Sequence, residues 1–153
     1  MGNAIAPAAR LKDSIRPLNS SAARYDQRAG AHCMKKILVT EDDADTNEIL
    51  CRLLKIAGYC AVGARDGEQA LAMLAGQRPD LVILDMMMPG IDGIEVLRRL
   101  RSDPATATLP VIMYSALSDP KFQDHARQKG ATDYCVKGLT DFKALAEMIG
   151  KYA

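Results

Sequence analysis

The sequence predicts an α/β protein built on a doubly wound parallel sheet. Three observations predict it. From residue 36 onward, short apolar or β-branched runs alternate five times with helical stretches. The links between them are too short for anything but crossovers, and crossovers between parallel strands are right-handed almost without exception. Most of the runs end in polar residues, at the sheet edge where open α/β folds bind ligands.

Each element has a local reason. Lys36-Ile37-Leu38-Val39-Thr40 reads as a buried strand that ends in Glu41-Asp42-Asp43. Asp43 or Asp45 can cap a helix running to about Ala57, with Ile49, Leu50, Leu53, Leu54 and Ala57 on one face and Gly58 as its stop. Tyr59 to Ala64 is a weaker second strand, and Asp66-Gly67 opens an Ala/Leu-rich helix to about Gly76. Asp80 to Asp85 (DLVILD) is the strongest buried-strand signal, and residues 86–90 are a loop. Asp92 with Glu95 resembles a capping box and starts a helix carrying Ile94, Val96, Leu97 and Leu100. Pro110 to Tyr114 is a fourth strand closed by Ser115. Asp119-Pro120 caps a helix that ends at Gly130, since proline fits the first helical turn. Asp133 to Val136 is a short fifth strand ending at Lys137, and Thr140 or Asp141 caps the last helix.

Charge divides the chain. Its 153 residues carry a net +1. Residues 1–36 hold seven basic residues against two acids, and the remainder is acidic by four charges. We expect residues 1–33 to be a basic arm, flexible or weakly helical, and residues 34–153 to be the folded domain. No apolar run reaches the ~18 residues of a membrane span, and the amino terminus has no apolar secretory core. Cys33, Cys51, Cys60 and Cys135 form no C-x-x-C pair, and His32 and His125 are the only histidines. A structural zinc site is therefore not expected, and free thiols in a cytoplasmic protein are. His125 reads as a surface residue in mid-helix.

The strand ends carry the chemistry. If the first and third strands are neighbours, Glu41, Asp42 and Asp85 converge. Carboxylates gathered in this way call for a hard cation, and Mg²⁺ (or Mn²⁺) suits them because it leaves room for phosphate. Ser115 and Lys137 at the same edge could hold phosphoryl oxygens. Asp85, which ends the most apolar strand, is the candidate nucleophile for an aspartyl phosphate. Taken singly, each residue has a plainer role as a helix cap, a turn residue or a solvated side chain. Their joint placement at four strand ends gives the pattern its specificity. Met86-Met87-Met88 reads as a loop packed on itself, with Met87 able to offer its carbonyl oxygen to a metal.

These residues resemble the receiver domain of two-component response regulators, the CheY-like family. The stretches that carry the resemblance are KKILVTEDDADTNEIL, PDLVILDMMMPGIDGIEVLRRLR, LPVIMYSA and GATDYCVKG, within residues 35–152. The resemblance implies a flavodoxin-like (βα)5 fold with strand order 2-1-3-4-5. It places the phosphoryl acceptor on Asp85, the acidic metal pair on Glu41 and Asp42, and the main-chain metal ligand on Met87. It puts the switch hydroxyl on Ser115, the phosphate-binding lysine on Lys137, and the aromatic switch on Tyr134, whose ring should turn inward on activation. The implied partners are a sensor histidine kinase or histidine phosphotransfer protein, and a downstream protein meeting the fourth helix, fifth strand and fifth helix. Self-catalysed hydrolysis would reset the switch. Nucleic acid and membrane are not expected as partners, and a stand-alone receiver is.

There are departures from the pattern. Gly138 follows Lys137 where the family usually has proline, often cis, which should leave the last loop less fixed. Met87 and Leu117 occupy positions where apolar residues suggest a long-lived phosphorylated state. A degenerate, constitutive binding scaffold and an aspartyl-nucleophile phosphatase are the alternatives. The complete site chemistry opposes the first. Met87, in place of a second acid two residues after the nucleophile, opposes the second.

Overall fold

A computed structural model describes residues 35–153. The expected arm, residues 1–33, lies outside them, as do Cys33 and His32. The elements run β1 (Lys36–Thr40), α1 (Ala44–Ile56), β2 (Cys60–Ala64), α2 (Gly67–Gln77), β3 (Leu81–Leu84), α3 (Gly93–Ser102), β4 (Val111–Ser115), α4 (Pro120–Gln128), β5 (Asp133–Val136) and α5 (Phe142–Tyr152). The five strands form one sheet in the order β2-β1-β3-β4-β5, all neighbours parallel.

The alternation of side chains along each strand separates two cores. Leu38, Val82, Leu84, Val111 and Met113 pack with Leu74, Val96, Leu97 and Leu100 on the α2–α4 side. Ile37, Val39, Leu81, Ile83 and Ile112 pack with Leu50, Leu54, Leu145 and Ile149 on the α1 and α5 side. β3 is buried at all four positions, which is why DLVILD reads as a continuous apolar run rather than an alternating one.

Among the described residues, aspartates start every helix. Asp43, Asp66, Asp92, Asp119 and Asp141 each accept a backbone N–H from the first turn of the helix that follows. Asp43 is therefore the cap and Asp45 is not; Asp141 is the cap and Thr140 is not. The capping box at Asp92 is half made. Glu95 N–H donates to Asp92 Oδ1 at 2.9 Å, but the Glu95 carboxylate turns to Arg98 and Arg99. Those two guanidiniums hold it well below the ordinary carboxylate range, at about 2. α2 passes through Gly76 to Gln77 and stops at Arg78, which adopts left-handed backbone at φ 42°.

The cysteines correct one expectation. Cys51 and Cys135 are buried free thiols, and burial pushes Cys135 up to about 11. Cys60 is disulfide-bonded, so the free-thiol expectation fails there. His125 is exposed on α4, as expected of a surface residue.

Candidate functional site

With β1 and β3 paired in register, Thr40 lies opposite Leu84, so the residues that follow each strand meet. Asp85 N–H donates to Thr40 O at 2.9 Å and closes that edge. Carboxylate oxygens of Glu41, Asp42 and Asp85 then lie within 4.8 Å of one another. Glu41 is only 1% exposed and Asp85 only 4%. Two carboxylates this buried need partners, because an unpaired charge away from water is costly.

Lys137 is the cationic partner. Its Nζ donates to Asp85 Oδ2 at 3.0 Å and forms an ion pair with Glu41 Oε2. The Tyr114 ring lies beneath the same ammonium, 5.5 Å from its centroid, within cation–π range. Burial disfavours the Lys137 ammonium, but hydrogen bonds and charge from Glu41 and Asp85 outweigh it, so its pKa lies above the ordinary value. Glu41 is also raised. Burial dominates there, over the opposing hydrogen bonds from Lys137 and from Asp43 N–H.

Three carboxylates thus gather at one edge, two of them paired with one ammonium. This donor set suits a hard divalent cation, which takes oxygen ligands and keeps waters. It is the one group of three or more His, Cys, Asp or Glu able to hold a metal among the described residues.

The neighbouring loops order the rest. Asp85 Oδ1 accepts the Met87 N–H at 3.2 Å. Met86 and Met88 are buried while Met87 is 62% exposed, so the methionine loop packs on two of its three side chains. Gly93, the first residue of α3, donates its N–H to Met86 O at 2.9 Å. A Cβ on Gly93 would lie 2.1 Å from Asp85 O, a main-chain atom that cannot swing aside. Gly93→Ala is therefore expected to cost about 1–3 kcal/mol, seen as a lower urea midpoint at unchanged m.

Ser115 and Tyr134 are joined to each other through Leu117. Lys137 N–H donates to Ser115 O at 2.8 Å, which ties β5 to β4. The Ser115 hydroxyl accepts the Leu117 N–H at 3.2 Å, and the Tyr134 hydroxyl donates to Leu117 O at 2.7 Å. Tyr134 is 7% exposed, with its ring already turned inward. The structure thus gathers Glu41, Asp42, Asp85 and Lys137 directly, ties Ser115 to Lys137 through the backbone, and links Ser115 to Tyr134 through Leu117.

Gly138, where the family usually has proline, makes a hydrogen-bonded turn. It sits at φ 81°, and the turn it makes returns Leu139 N–H and Thr140 N–H to Val136 O at 3.2 and 3.0 Å. Left-handed backbone costs other residues about 1–2 kcal/mol and glycine nothing comparable. No cis peptide bond occurs among the described residues. A hydrogen-bonded glycine turn carries Lys137 to the carboxylates where a proline was the usual expectation.

Sequence reasoning missed Asn47, Arg65 and Gly93. Asn47 had a visible signal, being a polar residue in register with the buried Leu50, Cys51 and Leu54 of α1.

A parallel sheet whose carboxyl edge gathers three carboxylates and a lysine has the donor set for a divalent cation. The response regulator receiver domain model matches residues 37–149, and the chain belongs to that family. The phosphate regulon transcriptional regulatory protein PhoB of Pseudomonas aeruginosa is 35% identical over 114 residues, 74% of this chain and 50% of that protein. Response regulator PleD of Caulobacter vibrioides is 39% identical over 114 residues, 74% of this chain and 25% of that protein. The chain spans half or less of the length of these curated relatives.

Among solved structures, response regulator TrrA of Thermotoga maritima, in complex with Mg²⁺ and BeF, shares 35% identity at a TM-score of 0.70. It is covered over 100% of its length by 78% of this chain. Chemotaxis protein CheY4 of Vibrio cholerae gives a TM-score of 0.74 at 26% identity, over 79% of this chain and 100% of that one. The receiver fold with strand order 2-1-3-4-5 is thereby established. No helix among the described residues is long and apolar enough to cross a membrane.

Proposed function

We propose that this receiver is a phosphorylation switch in which Asp85 takes a phosphoryl group from a phosphohistidine. The donor would be a sensor histidine kinase or a histidine phosphotransfer protein. The observation that carries the reading is Lys137 bridging Glu41 and Asp85 beside Asp42, with excess negative charge at a strand edge. Receivers as a family accept phosphoryl groups, and the residue assignments are our own reading of this chain.

Glu41, Asp42 and Asp85 would hold Mg²⁺, with Met87 lending its main-chain carbonyl. The cation would supply charge neutralisation for the oxygens around phosphorus. An Asp85 carboxylate oxygen forms the P–O bond while the P–N bond to the donor imidazole breaks, and the imidazole nitrogen keeps the electron pair and takes up a proton. Positioning and charge do the catalysis, since phosphoryl transfer needs little from protein acids or bases. Attack of water on phosphorus later restores the carboxylate and releases inorganic phosphate.

The output rests on Leu117, through its N–H and its C=O. When a phosphoryl oxygen draws the Ser115 hydroxyl, the hydroxyl leaves the Leu117 N–H it now accepts. Leu117 O is the partner of the Tyr134 hydroxyl, so the change reaches β5 and biases the α4-β5-α5 face toward a protein target. We place the protein in the cytoplasm, where such kinases transfer phosphate. We also read residues 34–153 as the receiver unit and residues 1–33 as an appended arm.

Phosphoramidate, a small P–N donor, tests this with Mg²⁺ and amide NMR. We expect shifts at residues 115–118 and 134, extending along α4 and α5, and none in Asp85→Asn. A spectrum unchanged outside the loop after Asp85 would contradict the switch.

A further inference from the structure

The acidic pair is held from outside the site. Asn47 on α1 is 6% exposed, so its amide hydrogens need partners. Its Nδ2 donates to Glu41 O at 3.0 Å and to Ala64 O at 2.8 Å. Ala64 O, at the end of β2, also accepts the Glu41 N–H at 3.1 Å. The Glu41 residue is therefore fixed at both its N–H and its C=O. Cys51 Sγ donates to Asn47 Oδ1 at 3.6 Å and sets the orientation of the amide. Gly63 makes the space for it, since a Cβ there would lie 2.0 Å from Asn47 Oδ1.

Asp42 is held in the same manner by a different element. Arg65, after β2, donates from Nη2 at 2.9 Å and from Nε at 3.3 Å to Asp42 O. Arg65 is anchored in turn, its own N–H going to Gln69 Oε1 at 2.7 Å. Asp66 Oδ1 accepts the Gln69 N–H at 2.7 Å, so the start of α2 braces the arrangement. Neither Asn47 nor Arg65 has a polar contact with a carboxylate of the site among these bonds; both grip main-chain carbonyls.

We propose that Asn47 and Arg65 are positioning residues that set the affinity for the divalent cation, by holding the carbonyls of Glu41 and Asp42 so that both carboxylates stay aimed at Asp85. The inference rests on the reading of those three carboxylates as the cation site. Mg²⁺ demands near-ideal octahedral geometry, so a loosened Glu41-Asp42 backbone translates directly into weaker binding. Groups that orient metal ligands without touching the metal are typically worth about 10–100-fold in affinity.

For Arg65 the sign of the effect separates positioning from charge. A guanidinium near a cation site repels the cation. If charge were all it supplied, Arg65→Gln would tighten Mg²⁺ binding. Loss of positioning weakens it. Asn47→Leu changes no charge, so any loss there is geometric.

Titration calorimetry with MgCl2 alone, on the full chain at fixed ionic strength, reads the affinity. Melting in EDTA, followed by circular dichroism, reports folding separately. We expect the Kd for Mg²⁺ to rise by about 10-fold in each variant. The phosphorylation rate at saturating Mg²⁺ should stay near wild type while the half-saturating Mg²⁺ concentration rises. A purely structural role would lower the melting temperature and leave Kd in place. Arg65 is exposed, so Arg65→Gln decides the matter even if Asn47→Leu does not fold. An unchanged Kd in folded variants, or a tighter one in Arg65→Gln, overturns the proposal. Wild-type protein that binds no Mg²⁺ overturns the cation site as well, and the two failures are distinct.

Discussion

Lys137→Met is expected to slow phosphoryl incorporation by about 10²–10³-fold, the usual effect of deleting one preorganised donor to a developing oxyanion. Its ammonium lies 3.0 Å from Asp85 Oδ2, close to where phosphoryl oxygens must gather. The same substitution should lower metal-free stability by about 3 kcal/mol, because it strips two buried carboxylates of their cation. The side chains involved are only 23%, 2% and 6% exposed, so solvent does little to screen the loss. Saturating Mg²⁺ should return part of the stability by supplying the counter-charge, without returning the rate. Urea unfolding in EDTA and in MgCl2, beside a phosphorylation time course, separates the two effects. Equal destabilisation with and without Mg²⁺ would contradict a shared charge site.

Glu41→Gln is expected to act in opposite directions on stability and on metal binding. The folded-state pKa of Glu41 is raised above its ordinary 4.5, chiefly by burial. An acid raised in this way binds more protons in the folded state than in the unfolded one. Its stability contribution is therefore greatest below 4.5 and is lost as pH rises through the folded value. At pH 7 and without metal, Glu41 is a liability. Glutamine keeps an oxygen for the Asp43 N–H and removes the charge. Metal-free Glu41→Gln should melt above wild type at pH 7, with the difference shrinking below about pH 4.5. It should also bind Mg²⁺ at least 10-fold more weakly, since a direct ligand matters no less than the groups that orient it. A variant less stable than wild type at pH 7 in EDTA would contradict the burial argument.

The strands were legible because both faces of a parallel sheet are covered. DLVILD was the strongest buried-strand signal for that reason. The helix starts were legible because aspartate is a strong cap, although the choice between Asp43 and Asp45 needed the backbone. Glu41, Asp42, Asp85 and Lys137 were legible together because parallel pairing forces strand ends to one edge. Gly93 and Arg65 were not, because they act on main-chain atoms, and Gly63 was not, because it makes room for the Asn47 side chain; such contacts leave no periodicity. The turn at Gly138 was not legible, because a missing proline says nothing about the hydrogen bonds a glycine can permit. The Cys60 bond left no spacing signal either.

The central claim is that Asp85 is the metal-dependent phosphoryl acceptor. Intact-mass spectrometry after incubation with acetyl phosphate tests it most directly. With Mg²⁺, wild-type protein should gain the mass of one phosphoryl group. In EDTA, and in Asp85→Asn with Mg²⁺, it should gain none. Full labelling of Asp85→Asn, or labelling indifferent to EDTA, would contradict the account.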